Sequence, residues 1–316
     1  MPCQVVVTSR ERCRFMSVDR GQLKRILLAG KSMFNFRRVA WALRKLQVPA
    51  GNGLVLDVGS GGRPYPRSDV LLDRLTGSEH RCGEEMMIDG RATVFGDAKK
   101  MPFKDKAFDF VIASHILEHI SEPEVFIKEL QRVGKAGYIE TPNAIFERLY
   151  PHPFHCLEVL CLDGKLRIYK KTQGIQDAFL GNQRIFKDDP AWAKFFHEAP
   201  DMFHVRYYWR DSIDYLVLNP EVSCEWVERI NDESEAGGVK QSYMQEQRGW
   251  REIGQSVLKY WYSFWRARRL KNFRLEDILV CPECHGAVEN TGTALKCRAC
   301  AKTYPLSPLP DFTPRA

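Results

Sequence analysis

No apolar run in this 316-residue chain approaches the roughly 20 residues of a membrane-spanning helix. The first residues, MPCQVVVTSRERCRF, lack the apolar stretch after a basic start that marks a secretory leader. No internal repeat and no low-complexity tract is present, which excludes solenoids and compositionally disordered chains. Acids are scarce at both ends. Residues 1–53 hold 11 Lys/Arg against two acids, residues 240–316 hold 13 against seven, and the middle is net −8. Basic flanks suit an anionic partner: a nucleic acid, an anionic membrane surface met peripherally, or a phosphorylated substrate. Solvated helix faces account for them equally well. Cysteine is plentiful, at ten. Four of these lie in paired CxxC motifs, which suits a metal and a reducing compartment better than disulfides. The expected location is the cytoplasm. Hydrophobic content of 44% over this length supports one large domain with additions.

What is present is densest between Leu54 and Asp73. An apolar strand (Leu54, Val55, Leu56) runs into Asp57 and the turn Gly59-Ser60-Gly61-Gly62, and a second run, Val70-Leu71-Leu72, ends in Asp73. Glycines let backbone approach a ligand, and a carboxylate at the tip of a second parallel strand suits a ribose diol. Further strands are expected at 93–97, 108–114 and 137–141, with a helix over Glu122–Val133. Ser121 is its expected N-cap, with Pro123 in the first turn and Glu124 three residues after the cap. This alternation predicts an α/β fold built on a doubly wound parallel sheet. Only ten residues separate Gly62 from Asp73, and Pro64 and Pro66 fall among them. No normal helix fits there, so the first crossover must be short or irregular.

Taken in order, Asp57 to Gly61, Asp73, Asp97-Ala98, Phe108 to His119 and Gly137 to Asn143 closely resemble class I S-adenosylmethionine-dependent methyltransferases, over about residues 50–145. The resemblance implies a Rossmann-like, seven-stranded methyltransferase sheet. It implies S-adenosylmethionine as cofactor, with Asp73 on the ribose and Asp97 and Ala98 at the adenine. Asp57, Gly59, Ser60 and Gly61 fall at the amino-acid end, and Ser114 also falls among the cofactor contacts. The hairpin expected at 156–171 and the strands expected at 204–209 and 212–218 are alternative sources of the sheet's closing antiparallel strands.

Methyl transfer from a sulfonium is an in-line displacement that needs orientation, and a base when the nucleophile carries a proton. In the resembled family, enzymes acting on amides and base amino groups often carry (Asn/Asp)-Pro-Pro-aromatic after the fourth strand. Here the sequence is Ala113-Ser114-His115-Ile116. That favours O-methylation, or an amine methylated by proximity. Candidate bases are His115, His119, His152 and His155, of which His115, His119 and His155 are the chosen catalytic candidates. His115 to His119 also fits H-x-x-E-H, an inverted zinc-peptidase pattern. Its place at a strand-to-helix turn, with no third ligand evident in sequence, argues against that reading.

Cys281-x-x-Cys284 and Cys297-x-x-Cys300 are separated by 12 residues. Four thiolates at this spacing can hold a structural Zn²⁺ tetrahedrally. With Tyr304-Pro305 and Pro308-Leu309-Pro310 following, this C-terminal zinc ribbon resembles the activator subunit of tRNA, ribosome and release-factor methyltransferases. Helix 250–270 sets Trp250, Leu258, Trp261, Tyr262 and Trp265 beside Arg266, Arg268, Arg269 and Lys271. A buried aromatic face docking the ribbon on the core is expected, with base stacking or a membrane surface as alternatives.

The expected organisation is a helical cap (1–50), a methyltransferase domain (51–235) with a substrate-side insertion at about 145–203, a linker and helix (236–276) and a zinc ribbon (277–316). The expected activity is O-methylation of a small or carrier-bound acceptor, a saccharide or lipid-linked compound. Alternatives are an RNA or translation-factor methyltransferase with a fused activator, and a non-catalytic cofactor-binding scaffold.

Overall fold

The computed structural model describes Leu43, Leu46, Val48 and residues 53–74, 86–173, 189–228 and 250–313. Most of the expected N-terminal helical cap, and the linker at 231–249, lie outside the described residues.

Five short strands build the parallel part of the main sheet: β1 (Val55–Val58), β2 (Val70–Asp73), β3 (Ala92–Phe95), β4 (Phe110–Ser114) and β5 (Ala136–Pro142). Their near-continuous burial is what a sheet covered on both faces requires. Helix α1 (Pro123–Val133) links β4 to β5. It buries Phe126, Ile127, Leu130 and Val133, a helical spacing, against Val58, Val111 and Ala113. Pro123 sits in its first turn as expected. The expected Ser121 cap does not form. Glu122 is the N-cap without a side-chain bond, and the Ser121 hydroxyl instead donates to Glu228 Oε1 at 2.5 Å.

After α2 (Ala144–Leu149), the hairpin β6 (Leu157–Leu162) and β7 (Lys165–Lys170) leaves the main sheet. Helices α3 (Pro190–Glu198) and α4 (Pro200–Phe203) then lead into β8 (His204–Arg210), which pairs antiparallel with β5 along its whole length. The main sheet therefore has the order β3-β2-β1-β4-β5-β8, six strands among the described residues where seven were expected. The strand after it, β9 (Tyr215–Val217), pairs with β7 in a separate three-stranded sheet. The two strands expected over 204–218 thus do not pair with each other but divide between two sheets.

The faces of the main sheet are covered differently. Leu56, Val58, Leu72, Val111 and Ile139 join one continuous core with α1, the β6–β7 hairpin and the C-terminal module. On the other face Val55, Phe110, Ile112 and Tyr138 meet Tyr65, Leu46 and Val48. Tyr65, from the proline-bearing crossover, is almost fully buried and stands edge-on to Tyr138 at 6.5 Å. Tyr65, with Leu46 and Val48, thus covers sheet surface over a crossover too short for a helix.

Helix α5 (Trp250–Arg269) is held by its arginines, which corrects the expectation of a buried aromatic face. Arg269 donates to Gly53 O at 2.9 Å and to buried Asp69, and Arg266 donates to Pro66 O at 3.1 Å. Tyr260 and Trp261 are 79% and 56% exposed. The C-terminal module has its own sheet, β10 (Val288–Asn290), β11 (Ala294–Cys297) and β12 (Thr303–Pro305). It docks on the free edge of β3. Phe95 N–H donates to Pro310 O and Phe312 N–H to Phe95 O, both at 2.8 Å, and Val280 N–H donates to Pro102 O at 3.0 Å. Pairing of this kind covers an otherwise open strand edge.

Candidate active site

The glycine turn closes at the C-terminal ends of β1 and β2. Gly59 and Gly61 adopt φ of +66° and +55°, a region that side chains disfavour. A Cβ on Gly59 would also lie 2.9 Å from Ile116 Cδ1. Gly59 N–H donates to Leu72 O at 2.8 Å, and Gly61 N–H donates to Asp73 Oδ2 at 2.8 Å. Asp57, buried, accepts from Tyr65 N–H at 2.7 Å, so this carboxylate braces the crossover. Ser60 Oγ is buried with no hydrogen-bond partner among the described residues. Such an orphaned hydroxyl is what a bound polar ligand would satisfy.

Gly96 N–H donates to Asp73 O at 3.0 Å, which stitches the end of β3 to the end of β2 and brings Asp97 and Ala98 beside Asp73. Asp97 Oδ1 accepts from Lys99 N–H at 2.8 Å. Ser114 ends β4, its Oγ 3.4 Å from the Tyr65 hydroxyl. The structure therefore gathers Asp57, Gly59, Ser60, Gly61, Asp73, Asp97, Ala98 and Ser114 along adjacent strand ends, the place where open parallel sheets bind ligands. Arg63 is exposed.

The histidines collect at the ends of β4 and β5. His115 has φ of +55°, left-handed backbone held by its N–H bond to Glu140 O at 2.7 Å. Its ring lies 3.2 Å from Glu118 and 3.5 Å from Glu140. Burial opposes its charge, but hydrogen bonds to these two carboxylates prevail and raise its pKa to about 10. It is a cation at neutral pH and carries a proton where a base would have to accept one. Glu118 is held well below the usual carboxylate range: burial opposes its charge, and the His115 hydrogen bond prevails. The Tyr138 hydroxyl donates to Glu140 and accepts from Arg206 Nε at 3.2 Å. His204 stands edge-on to His115 at 5.3 Å, its pKa lowered to about 4 by burial and by the charge of His115. Phe146, Phe196 and Phe203 pack around His204 and its neighbours.

Deeper in the cluster, His119 and His155 meet with ring centroids 4.7 Å apart. His155 stays neutral because burial lowers its pKa well below the ordinary value. Glu147, from α2, contacts His155 at 2.6 Å and Lys171 at 2.5 Å. Glu118 was visible in sequence only as part of H-x-x-E-H. Glu140 lay in the resembled segment without a role of its own, and Tyr65, Glu147, Lys171, His204 and Arg206 gave no sequence signal, because the crossover, α2, the end of β7 and β8 bring them in from separate parts of the chain.

In the C-terminal module the four sulfurs of Cys281, Cys284, Cys297 and Cys300 lie within 4.8 Å of one another. Cys281 and Cys300 are 3.6 Å apart, Cys284 and Cys297 3.4 Å. A tetrahedral zinc with Zn–S bonds of about 2.3 Å sets sulfurs about 3.8 Å apart, so the donor set fits. A Cβ on Gly286 would sit 3.2 Å from Cys297 Sγ and 2.8 Å from Ala299 Cβ, so only glycine fits beneath the sulfurs. All seven described cysteines are free thiols.

Two family models match. Residues 72–139 match the methyltransferase domain, and residues 272–307 match the Trm112p-like protein. The first match lies in the main sheet and the second in the C-terminal module. Ajmaline N-methyltransferase of Rauvolfia serpentina is 48% identical over 42 residues, 13% of this chain and 14% of the relative. An uncharacterized protein of Methanocaldococcus jannaschii is 29% identical over 93 residues, 29% of this chain and 44% of the relative. The chain thus spans less than half the length of these curated relatives. Among solved structures, a complex of the Haloferax volcanii Trm112 methyltransferase activator with a chain assigned as a methyltransferase aligns at a TM-score of 0.35 and 15% identity, covering 61% of this chain and 95% of that one. Val280 N–H, in the second matched segment, donates to Pro102 O, in the first, at 3.0 Å, and the strand-edge pairing at Pro310 and Phe312 falls just beyond the second match. Among the described residues, no helix is long and apolar enough to cross a membrane.

Proposed function

We propose that this chain is an S-adenosylmethionine-dependent methyltransferase acting on an acceptor oxygen, with residues 51–235 as the catalytic unit and 277–316 as a fused zinc ribbon. One observation carries the reading. The Gly59–Gly61 turn is braced on Asp73 and holds the buried Ser60 hydroxyl, without a partner among the described residues, within a segment next to the methyltransferase match. The cofactor would supply an electrophilic methyl on a sulfonium. Asp73 would accept from the ribose hydroxyls, Asp97 and Ala98 would border the adenine, and the Ser60 hydroxyl would hold the amino-acid end. Zinc would sit on Cys281, Cys284, Cys297 and Cys300 as a structural ion.

The acceptor enters at the ends of β4 and β5. His115 and Arg206 would orient a polar acceptor there, and Phe146, Phe196 and Phe203 would flank its apolar part. This suits a small or carrier-bound metabolite, a saccharide or lipid-linked compound. Ala113-Ser114-His115 in place of an Asn-Pro-Pro-aromatic segment supports oxygen over an amide or base amine. The ajmaline relative matches over too little of its length to carry its acceptor across. The proposed setting is reducing and cytoplasmic, as paired CxxC motifs suited to a metal suggest.

The Trm112p-like match favours a second reading, an RNA or translation-factor methyltransferase with a built-in activator. Incubating the full chain with methyl-labelled cofactor and fractionated cell extract tests both. Label in a small-molecule or lipid fraction supports the first reading. Label in RNA or protein, with affinity falling steeply as salt rises, supports the second for an RNA acceptor. Cofactor binding with no label in any fraction leaves a non-catalytic scaffold.

A further inference from the structure

Glu118, His119 and His155 form a second cluster of donor groups, outside the cysteine module. One ligand atom of each lies within 4.8 Å of the others. Glu118 and His119 come from the turn after β4, and His155 from the loop before β6. The two loops are tied together by the Cys156 N–H bond to Glu118 O at 2.8 Å.

Hydrogen bonds at the far side of each ring decide what the near side can do. His119 Nδ1 lies 3.0 Å from the Phe154 carbonyl oxygen, which can only accept, so Nδ1 carries the proton. His155 Nδ1 lies 2.6 Å from Glu147 Oε2. The other Glu147 oxygen takes Lys171 Nζ at 2.5 Å and His152 N–H at 3.1 Å. Burial raises the Glu147 pKa and the Lys171 ammonium opposes it; with the carboxylate ionised against Lys171, His155 Nδ1 donates to it. Each ring is left with a basic Nε2, and neither Nε2 has a hydrogen-bond partner among the described residues. Glu118 is 1% exposed, with Thr141 Oγ1 donating to Oε2 at 2.9 Å. Neither Nε2 is among the buried polar atoms left without a partner, so both are open to solvent, where an ion can reach them. Metal-binding histidines show the arrangement seen here, with the second nitrogen donating to a carbonyl or carboxylate that fixes tautomer and ring orientation.

We infer that Glu118, His119 and His155 bind a divalent transition-metal ion, distinct from the zinc of the ribbon. Two imidazoles and one carboxylate suit Zn²⁺, Mn²⁺ or Fe²⁺. Bonds of about 2.0–2.2 Å would draw the donors slightly closer than they stand. Three protein donors leave at least one position for an outside ligand. If the methyltransferase reading holds, on which this clause alone rests, that ligand is the acceptor oxygen. Coordination would make its proton more acidic and so activate the oxygen.

Metal counting tests this independently of any cofactor result. The purified full chain is saturated with Zn²⁺, dialysed and analysed. Two equivalents are expected in the wild type and one each in His119→Gln and His155→Ala, with circular dichroism confirming that both variants are folded. Co²⁺ is then added to protein holding one Zn²⁺ in the ribbon. It should give visible ligand-field absorption without a sulfur-to-cobalt charge-transfer band, and His155→Ala should abolish the absorption. One equivalent in the wild type with no Co²⁺ spectrum overturns the inference, as does a second equivalent that persists in both folded variants. Because neither readout involves S-adenosylmethionine, a failure here is distinguishable from a failure of the methyltransferase proposal.

Discussion

Asp73→Asn separates two duties of one carboxylate. Asp73 braces the cofactor turn through Gly61 N–H at 2.8 Å, and in the proposed function it accepts from the ribose hydroxyls. Asparagine keeps an oxygen for Gly61 but loses the charge and turns one acceptor into a donor. Alanine loses everything. A hydrogen bond to a charged group contributes about 1.5–3 kcal/mol and a neutral one about 0.5–1.5 kcal/mol. Losing the charge across the diol should therefore weaken binding by about 2 kcal/mol, or roughly thirty-fold in Kd. Folding should hardly change in Asp73→Asn. Asp73→Ala should lose about 1 kcal/mol, since the half-exposed Gly61 amide can regain water. Calorimetric titration of S-adenosylhomocysteine, paired with urea unfolding of each variant, reads both quantities. If Asp73→Asn binds like the wild type and only alanine loses affinity, the carboxylate is a loop brace and its assignment to the ribose is wrong.

Asp69 is 1% exposed and takes Val55 N–H and Arg67 at 2.9 Å each, together with Arg269. Asp69→Ala should destabilise the chain by about 3–5 kcal/mol, because it strands buried cations; a urea midpoint shift under 1 kcal/mol would show that α5 is not held this way. Stripping zinc with a chelator should unpair the ribbon tail from β3, so the Phe95 amide, which donates to Pro310 O, should exchange with deuterium much faster. Unchanged protection would mean that the edge pairing survives without metal. Burial opposes the charge on Asp89, but Arg91 and then Lys259 of α5 outweigh it and lower its pKa. A depressed carboxylate contributes stability that is present above its unfolded pKa near 3.9 and lost as pH falls through the folded value. Wild type should therefore lose more stability than Asp89→Asn between pH 5 and pH 3, and parallel urea midpoints for the two proteins would refute the linkage.

Local sequence determined a good deal. Apolar runs ending in acids located β1 to β5, because buried parallel strands must be apolar throughout and their ends must turn at the ligand edge. Prolines at 64 and 66 excluded a crossover helix through their missing N–H groups. The 12-residue spacing of the CxxC pairs brought four thiols together, because knuckle geometry is local and a four-cysteine site needs nothing else.

Tertiary structure alone decided the rest. Which strands close the sheet was undecidable, since the β6–β7 hairpin and β8 carry similar alternation; β8 won by pairing with β5 over seven residues. The docking mode of α5 depended on Asp69, a buried acid some 200 positions away. The third donor to Glu118 and His119 was invisible for the same reason. His155 reaches them only because the loop before β6 folds back onto the turn after β4. Its tautomer is set by Glu147 and Lys171, which arrive from two further elements. Periodicity and spacing report what a segment does with its own neighbours. A site built from segments that meet only in space depends on long-range packing, which no local pattern records.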